Sequence, residues 1–474
     1  MKSKNNISRR HFMRRCVSHL AAIPAVGFAV SCAKQGRQQA EPQTGQQSRQ
    51  ATKRPNIVFI IADDMGWADV GYHNPQIKTP HIDRLAREGI RLEHHYVTPT
   101  CTPTRVGLMT GRYPSRFGVT SPAYGKIFDD DTVTLASALR DSGYDTAITG
   151  KWHMGSPPDW TPLRYGFDSS YGYFHGQVDP YTHLYKTGVR SWHRSDQYID
   201  EQGHATDLIT DEAIRVIQSK RSKPFFLYVA YSVPHFPLDE PDRWTSMYQD
   251  IEEPSRRWLA ASITHMDYGI GRIVEALNRT GQRQDTLIIF VSDNGGQKSW
   301  HSKEQYKGRY ADKPHTVLGN NRPLRGWKGQ TYEGGIRVPA LVNWPGTLKP
   351  HAKVTTPVHI VDWMPTLCKL VAYRGEKELN WDGQDIWPLI CGQILRPGSG
   401  RAEHFKQRTF YWKTPSESAV REGHWKLIVS RKPNIAELYN LTDDPYEQQD
   451  LAQQYPQRVN DLKLLLEQIG RDDR

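Results

Sequence analysis

The sequence predicts an α/β fold, a mostly parallel central sheet flanked by helices, with a smaller C-terminal α+β subdomain. Three observations carry this. Short continuous apolar runs alternate with helical periods from Pro55 onward. The runs are β-branched and bounded by turn residues, the pattern of strands buried on both faces. Beyond about Pro365 the pattern changes to short strands that alternate more weakly and a closing amphipathic helix.

The elements follow in order. "NIVFIIADD" (56–64) reads as a buried strand. "TPHIDRLAREG" (79–89) reads as a helix with Thr79 as its cap, Pro80 in its first turn and Gly89 as its stop. "TVTLASALRDSGYDTAITGKWH" (132–153) is a helix ended by Gly143, then a strand, then a polar cluster. "KPFFLYVAYSVPH" (223–235) and "DTLIIFVSDNGG" (285–296) are further buried strands, separated by the helical period of "RRWLAASITHMDYGIGRIVEALNRTG" (256–281). The polar, Gly/Pro-rich stretch 300–327 reads as a long surface loop. "HWKLIVS" and "AELYNL" predict antiparallel strands, and "YPQRVNDLKLLLEQIG" the closing helix. A sheet of this size needs a large core, and 474 residues are ample for one.

The first 31 residues are of another kind. Lys2, Lys4, Arg9, Arg10, Arg14 and Arg15 precede an apolar stretch shorter than the ~20 residues a membrane span requires. This is the pattern of an export leader. Ser8-Arg9-Arg10-His11-Phe12 resembles a twin-arginine signal, and "FAVSC" resembles a lipoprotein cleavage box with Cys32 as the lipidated residue. Residues 32–54 are Gln-rich and read as a tether. The expected layout is therefore leader 1–31, tether 32–54, main α/β domain 55–365 and C-terminal subdomain 366–474, in a periplasmic or outer-surface protein that depends on export machinery and carries a lipid anchor if Cys32 is modified.

The formal net charge of +11 belongs mostly to these ends. The leader holds +6 and the tether +4, leaving +1 for the body. Bulk charge thus gives no reason to expect a nucleic-acid partner. The five cysteines form no disulfide framework. Cys368 and Cys391 either pair or stay as thiols, and Cys101 has no evident partner.

Four predicted strands end in reactive residues. Asp63-Asp64, Lys151-Trp152-His153, His235 and Asp293-Asn294 would share one edge of a parallel sheet, where ligands bind. Either Asp pair alone is most simply a turn cap. Two matched pairs of hard oxygen donors, each followed by a Gly-containing turn, favour a divalent cation, Ca²⁺ or Mg²⁺ rather than Zn²⁺. Cys101 precedes Pro103 and the helix-like "RVGLMTG", with Arg105 about a turn away. A thiol at that helix start would be acidified and nucleophilic. A buried structural thiol is the alternative, weakened by Thr98, Thr100, Thr102 and Thr104 around it.

"Cys101-Thr102-Pro103-Thr104-Arg105" with the following "VGLMTGRYP" resembles the signature of the formylglycine-dependent (type I) sulfatases, of the alkaline-phosphatase-like superfamily. "PNIVFIIADDMGWADVG", "TAITGKWHMG", "VPHFP", "VSDNGG", "LRGWKGQTYEGGIRVP" and "ELYNLTDDPYEQQDL" are similar to further blocks of that family, in family order. The resemblance implies that Cys101 is oxidised to formylglycine by a formylglycine-generating enzyme. It implies that Asp63, Asp64, Asp293 and Asn294 hold the metal, usually Ca²⁺, with residue 101 reaching it. It further implies that Arg105 holds the formylglycine hydrate, that Lys151 and Lys328 contact the sulfate, that His153 deprotonates the hydrate and that His235 stands beside the leaving oxygen. The expected reaction is hydrolysis of a sulfate monoester by attack of the hydrate on sulfur and hemiacetal collapse. "YGYFHGQVDPYTHLY" and "SWHRS" place His175, Tyr181, His183 and Trp192 as candidates for binding a sulfated carbohydrate of galactose or N-acetylgalactosamine type. The alternatives are a phosphate or phosphonate ester hydrolase of the same superfamily, and a non-catalytic glycan-binding surface lipoprotein.

Overall fold

The computed structural model describes residues 54–474 except 187, 301–305, 307–316, 394–404, 406 and 432–434. The leader, nearly all of the tether with Cys32, and most of the loop expected over 300–327 lie outside the described residues.

Five parallel strands form the middle of a ten-stranded sheet. In spatial order they are Thr286–Ser292, Asn56–Ala62, Phe225–Ala230, Asp145–Lys151 and Ser169–Tyr173. Antiparallel strands extend both sides, Ala340–Asn343 next to Thr286–Ser292 and Trp192–Arg194 next to Ser169–Tyr173. The run 56–62 shows why a continuous apolar sequence is needed here. Ile57, Phe59 and Ile61 pack into one core with Val106, Leu135, Leu139 and Leu367. Val58, Ile60 and Ala62 pack into a second core with Ile82, Ile209, Ile263 and Met266. Successive side chains point to opposite faces, so a strand covered by helices on both sides cannot afford a polar alternate.

Helices Ala205–Gln218 and Pro254–Arg279 cover one face, and Cys101–Thr110, Leu135–Asp141 and Trp363–Leu370 cover the other. Helix Pro80–Arg87 forms where its spacing predicts, but its ends differ. The Thr79 hydroxyl accepts from the Gly71 amide (2.7 Å) and donates to Asp83 (2.8 Å). The buried Asp267 caps the helix instead, accepting from the His81 and Ile82 amides at 3.1 and 2.7 Å. Gly89 is not a left-handed stop. A Cβ there would lie 2.3 Å from the Val342 carbonyl, so the glycine serves close packing.

The C-terminal subdomain is an antiparallel sheet of strands Thr409–Lys413, Glu417–Glu422, Trp425–Ser430 and Ile435–Asn440. Helix Pro456–Gly470 covers one face through Val459 and Leu462. The other face, with Phe410, Trp412, Ile428 and Tyr439, packs on Tyr96 and Ile336. Cys368 and Cys391 are free thiols. No helix among the described residues is long and apolar enough to cross a membrane.

Candidate active site

The parallel strands deliver their C-terminal residues to one edge. Asp63 and Asp64 follow Ala62, Asp293 and Asn294 follow Ser292, Lys151 ends its strand, and His235 lies five residues beyond Ala230. The register pairs Ala62 with Ser292, which sets the two acidic turns side by side. The Asp64 amide donates to Asp293 Oδ1 (3.1 Å), and the Met65 amide donates to Ser292 Oγ (2.9 Å). Asp64 and His153 hold left-handed backbone, φ 71° and 55°. Such strain is uncommon in non-glycine residues and concentrates at functional sites.

Charges are paired throughout. Arg105, fully buried, donates Nη2 and Nε to Asp293 Oδ2 at 2.8 and 3.2 Å. Its Nη1 reaches the Lys151 carbonyl (3.2 Å) and Tyr228 hydroxyl (3.4 Å). Lys151 Nζ lies 2.7 Å from Asp63 Oδ2, and Lys328 Nζ 2.7 Å from both Asp64 oxygens. His235 Nε2 is 3.7 Å from Asp64. Burial alone would raise the Asp64 carboxyl, but Lys328 and His235 hold it down at about 2. Burial pushes Asp63 well above the usual carboxylate range, despite Lys151, with Asp293 and Asp64 adding to the rise.

The donor set fits a hard divalent cation. Asp63 Oδ1 and Asn294 Oδ1 are buried without a hydrogen-bond partner among the described residues. Ligand atoms of Asp63, Asp64 and His235, and of Asp63, Cys101 and Asp293, lie within 4.8 Å of one another in each group. A cation between these carboxylates would relieve their repulsion and satisfy both orphan oxygens.

Cys101 is the first residue of helix Cys101–Thr110 and is buried. The expectation of an acidified thiol does not hold. Burial pushes the Cys101 thiol up, against the pull of Lys151 and Lys328, while the Arg105 guanidinium is engaged with Asp293. His153 is buried, with neither ring nitrogen hydrogen-bonded among the described residues, and burial with Lys151 and Arg105 holds its pKa well below the ordinary value. It is a neutral imidazole facing the cavity.

A cavity of about 430 Å³ opens onto these groups. Its lining includes Cys101, His153, His235 and Lys328, together with Tyr124, Gln177, Gln297, Lys298, Trp300 and Trp327. Sequence reasoning missed the last six. Gln297, Lys298 and Trp300 directly follow "SDNGG", a positional signal. Tyr124 comes from a stretch with no periodicity to mark it.

The expected carbohydrate residues are not in this lining. Trp192 is buried, donates Nε1 to Glu201 (3.2 Å) and packs on Tyr171 and Tyr173. His183 stacks on Trp192 (4.5 Å) and bonds the Gly203 carbonyl. Tyr181 is exposed and edge-on to His204. His175 stacks on Tyr185, whose hydroxyl reaches Tyr124, so it stands one ring behind the wall. Aromatic and histidine residues in this segment pack on one another, which a sequence pattern cannot separate from a sugar-binding face.

A second buried cluster lies outside the cavity lining. His265 Nδ1 is 2.6 Å from Glu240 and its Nε2 3.1 Å from Asp207. Burial opposes charging His265, but these two carboxylates raise its pKa to about 9. The folded value exceeds the unfolded value of about 6.5, so this cation stabilises the fold fully below that pH. The contribution, on the order of 3 kcal/mol, is lost as pH rises through about 9. His265→Gln is expected to lower the melting temperature at pH 6 by several degrees and much less at pH 10. Equal losses at both pH values would contradict a charged His265.

Buried cations and a donor set that fits a divalent metal thus surround a residue at a helix start beside a cavity. The comparisons make the assignment specific. The sulfatase family model matches residues 55–373, and the model for the C-terminal region of N-sulphoglucosamine sulphohydrolase matches 326–472. The chain belongs to the sulfatase family and is a sulfuric ester hydrolase. It is 33% identical to arylsulfatase J of Mus musculus, over 89% of this chain and 76% of that protein. It is 27% identical to N-acetylgalactosamine-6-O-sulfatase of Bacteroides thetaiotaomicron, over 95% and 98%. Among solved structures, Ps i-CgsB in complex with k-i-k-neocarrahexaose has 29% identity and a TM-score of 0.77, covering 89% of this chain and 94% of that one.

Proposed function

We propose that this protein releases sulfate from a sulfated carbohydrate of galactose or N-acetylgalactosamine type, using formylglycine made from Cys101 by a formylglycine-generating enzyme. The observation that carries this is the placement of Cys101 on the cavity surface, beside Lys328 and His153 and against the Asp63–Asp293 donor set. The relatives that act on N-acetylgalactosamine sulfate, and the neighbour holding a carrageenan oligosaccharide, support the sugar class.

Ca²⁺, or Mg²⁺ in its place, would be held by Asp63, Asp64, Asp293 and Asn294 with residue 101, and would polarise the sulfate oxygens. The aldehyde hydrate supplies two hydroxyls on one carbon, one to attack sulfur and one to expel sulfate on deprotonation, an exit that a serine or cysteine ester lacks. Lys151 and Lys328 neutralise the sulfate charge that would otherwise be repelled by three buried carboxylates. Arg105, bonded to Asp293, would hold the formylglycine hydrate. His153, neutral and without a ring partner among the described residues, would take a proton from residue 101. His235 and Lys328, both on the cavity lining, would deliver a proton to the leaving oxygen. Export through the leader, with a lipid anchor at Cys32, would put the enzyme where sulfated polysaccharides are met. In this reading residues 55–365 carry catalysis and 366–474 complete the site.

The test is direct. Protein matured in a host with a formylglycine-generating enzyme should release sulfate from N-acetylgalactosamine or galactose 6-sulfate in a calcium-dependent manner. Faster release of phosphate from the matching phosphate esters would favour a phosphoryl hydrolase instead.

A further inference from the structure

In the buried layer behind the cavity lining each cation faces a carboxylate, Arg105 on Asp293 and Lys151 on Asp63, and Lys328 of the lining faces Asp64. At the mouth the balance is different. Lys298 lines the cavity, is exposed, and makes no ion pair with a described carboxylate. No aspartate or glutamate lines the cavity among the described residues.

The backbone beneath Lys298 is fixed. The Leu318 amide donates to the Lys298 carbonyl (3.1 Å), the Gly319 amide to the Gln297 carbonyl (2.8 Å), and the Gln297 side chain to the Ser299 carbonyl (2.9 Å). Two residues on, Trp300 is half-buried, its ring stacked on Phe236 (4.9 Å, 24°). Its Nε1 has no hydrogen-bond partner among the described residues. A supported indole face beside an ammonium suits a pyranose ring that carries an anionic substituent, the ring on the indole and the anion on the lysine.

We propose that Lys298 and Trp300 form a subsite for a second anionic group, sulfate or carboxylate, on the sugar next to the one being desulfated. The preferred substrate is then a polyanionic saccharide rather than a singly sulfated sugar. This rests on the sugar-sulfatase reading of the cavity, and the two are separable. Sulfate release by the mature enzyme tests that reading, whereas the subsite is read from binding alone.

The experiment uses calcium-loaded Cys101→Ala protein, which cannot turn over, and titration calorimetry. The probes are a monosulfated galactose disaccharide and two counterparts with a second sulfate or a carboxylate on the neighbouring ring. The second anion is expected to tighten binding about 3- to 5-fold at low salt, the range of one exposed ion pair. That ratio should shrink in high salt and approach one in Lys298→Gln. In Lys298→Glu it should fall below one. A gain with the disulfated probe alone assigns the subsite to sulfate, and a gain with both assigns it to either anion. A ratio of one in the parent, or a ratio unchanged in Lys298→Gln, overturns the proposal.

Discussion

On the formylglycine reading, Cys101→Ala is expected to lower sulfate release by at least about 10³-fold, because removing the nucleophile of a covalent site costs nearly all of its activity. Cys101 lies in a well-packed helix start, and alanine is smaller and helix-compatible, so the variant should keep its melting temperature within a few degrees. Fold and activity are therefore read apart. Serine at this position should be almost as inactive, since it shares the geometry but not the aldehyde. The active-site peptide of the mature protein should weigh about 18 Da less than its encoded cysteine form, the loss expected on conversion to the aldehyde. An unmodified thiol in fully active protein would sink the mechanism. Burial already argues against direct thiol chemistry, since it pushes the Cys101 pKa up rather than down.

Lys426→Met should have the largest effect on stability. Lys426 is fully buried on the C-terminal sheet between Glu333 (3.0 Å) and Glu447 (2.8 Å). Burial would raise Glu333, yet Lys426 and Arg337 hold it at about 2; burial and the Glu333 charge push Glu447 up to about 7. Removing the shared cation leaves two carboxylates in a dry site, a loss of about 3–5 kcal/mol. The catalytic consequence is carried by one segment. The Glu333 amide is bound by Glu447, and Arg325 by the Tyr439 hydroxyl and the Glu447 carbonyl. The backbone between these anchors carries Lys328, whose amide donates to the Gly296 carbonyl while that of Gly329 donates to the Pro99 carbonyl. A loosened segment should cost about 10-fold in kcat/KM per folded enzyme, within the range for small misplacement of a catalytic group. Lys426→Arg should recover part of both. Activity per folded molecule unchanged in Lys426→Met would mean that the C-terminal sheet does not position Lys328.

Much of this was legible in the sequence because the physics was local. A strand covered on both faces must be apolar at every position, so "NIVFIIA" and "LIIFVS" announce themselves. Parallel strands finish on one edge, so Asp63, Asp64, Lys151, His235, Asp293 and Asn294 could be grouped before any coordinate was known. The cap of helix Pro80–Arg87 was not legible, because Asp267 comes from a helix some 185 residues away. The carbohydrate candidates His175, Tyr181, His183 and Trp192 lie outside the described cavity lining, which was not legible for a related reason. His183 and Trp192 have the composition of a sugar site, and only their stacking shows that they spend those faces on each other.

The sequence by itself determined the apolar strands, the acidic pairs that follow two of them and the Cys101–Arg105 motif, since each depends on residue type at short spacing. Tertiary structure alone decided which charges are shared and which remain free. Arg105 is consumed by Asp293, Glu333 is linked through Lys426 to a sheet about 90 residues further on, and Lys298 faces the cavity without a carboxylate among the described residues. Pairing depends on distances of a few ångströms between distant segments, which no local pattern encodes.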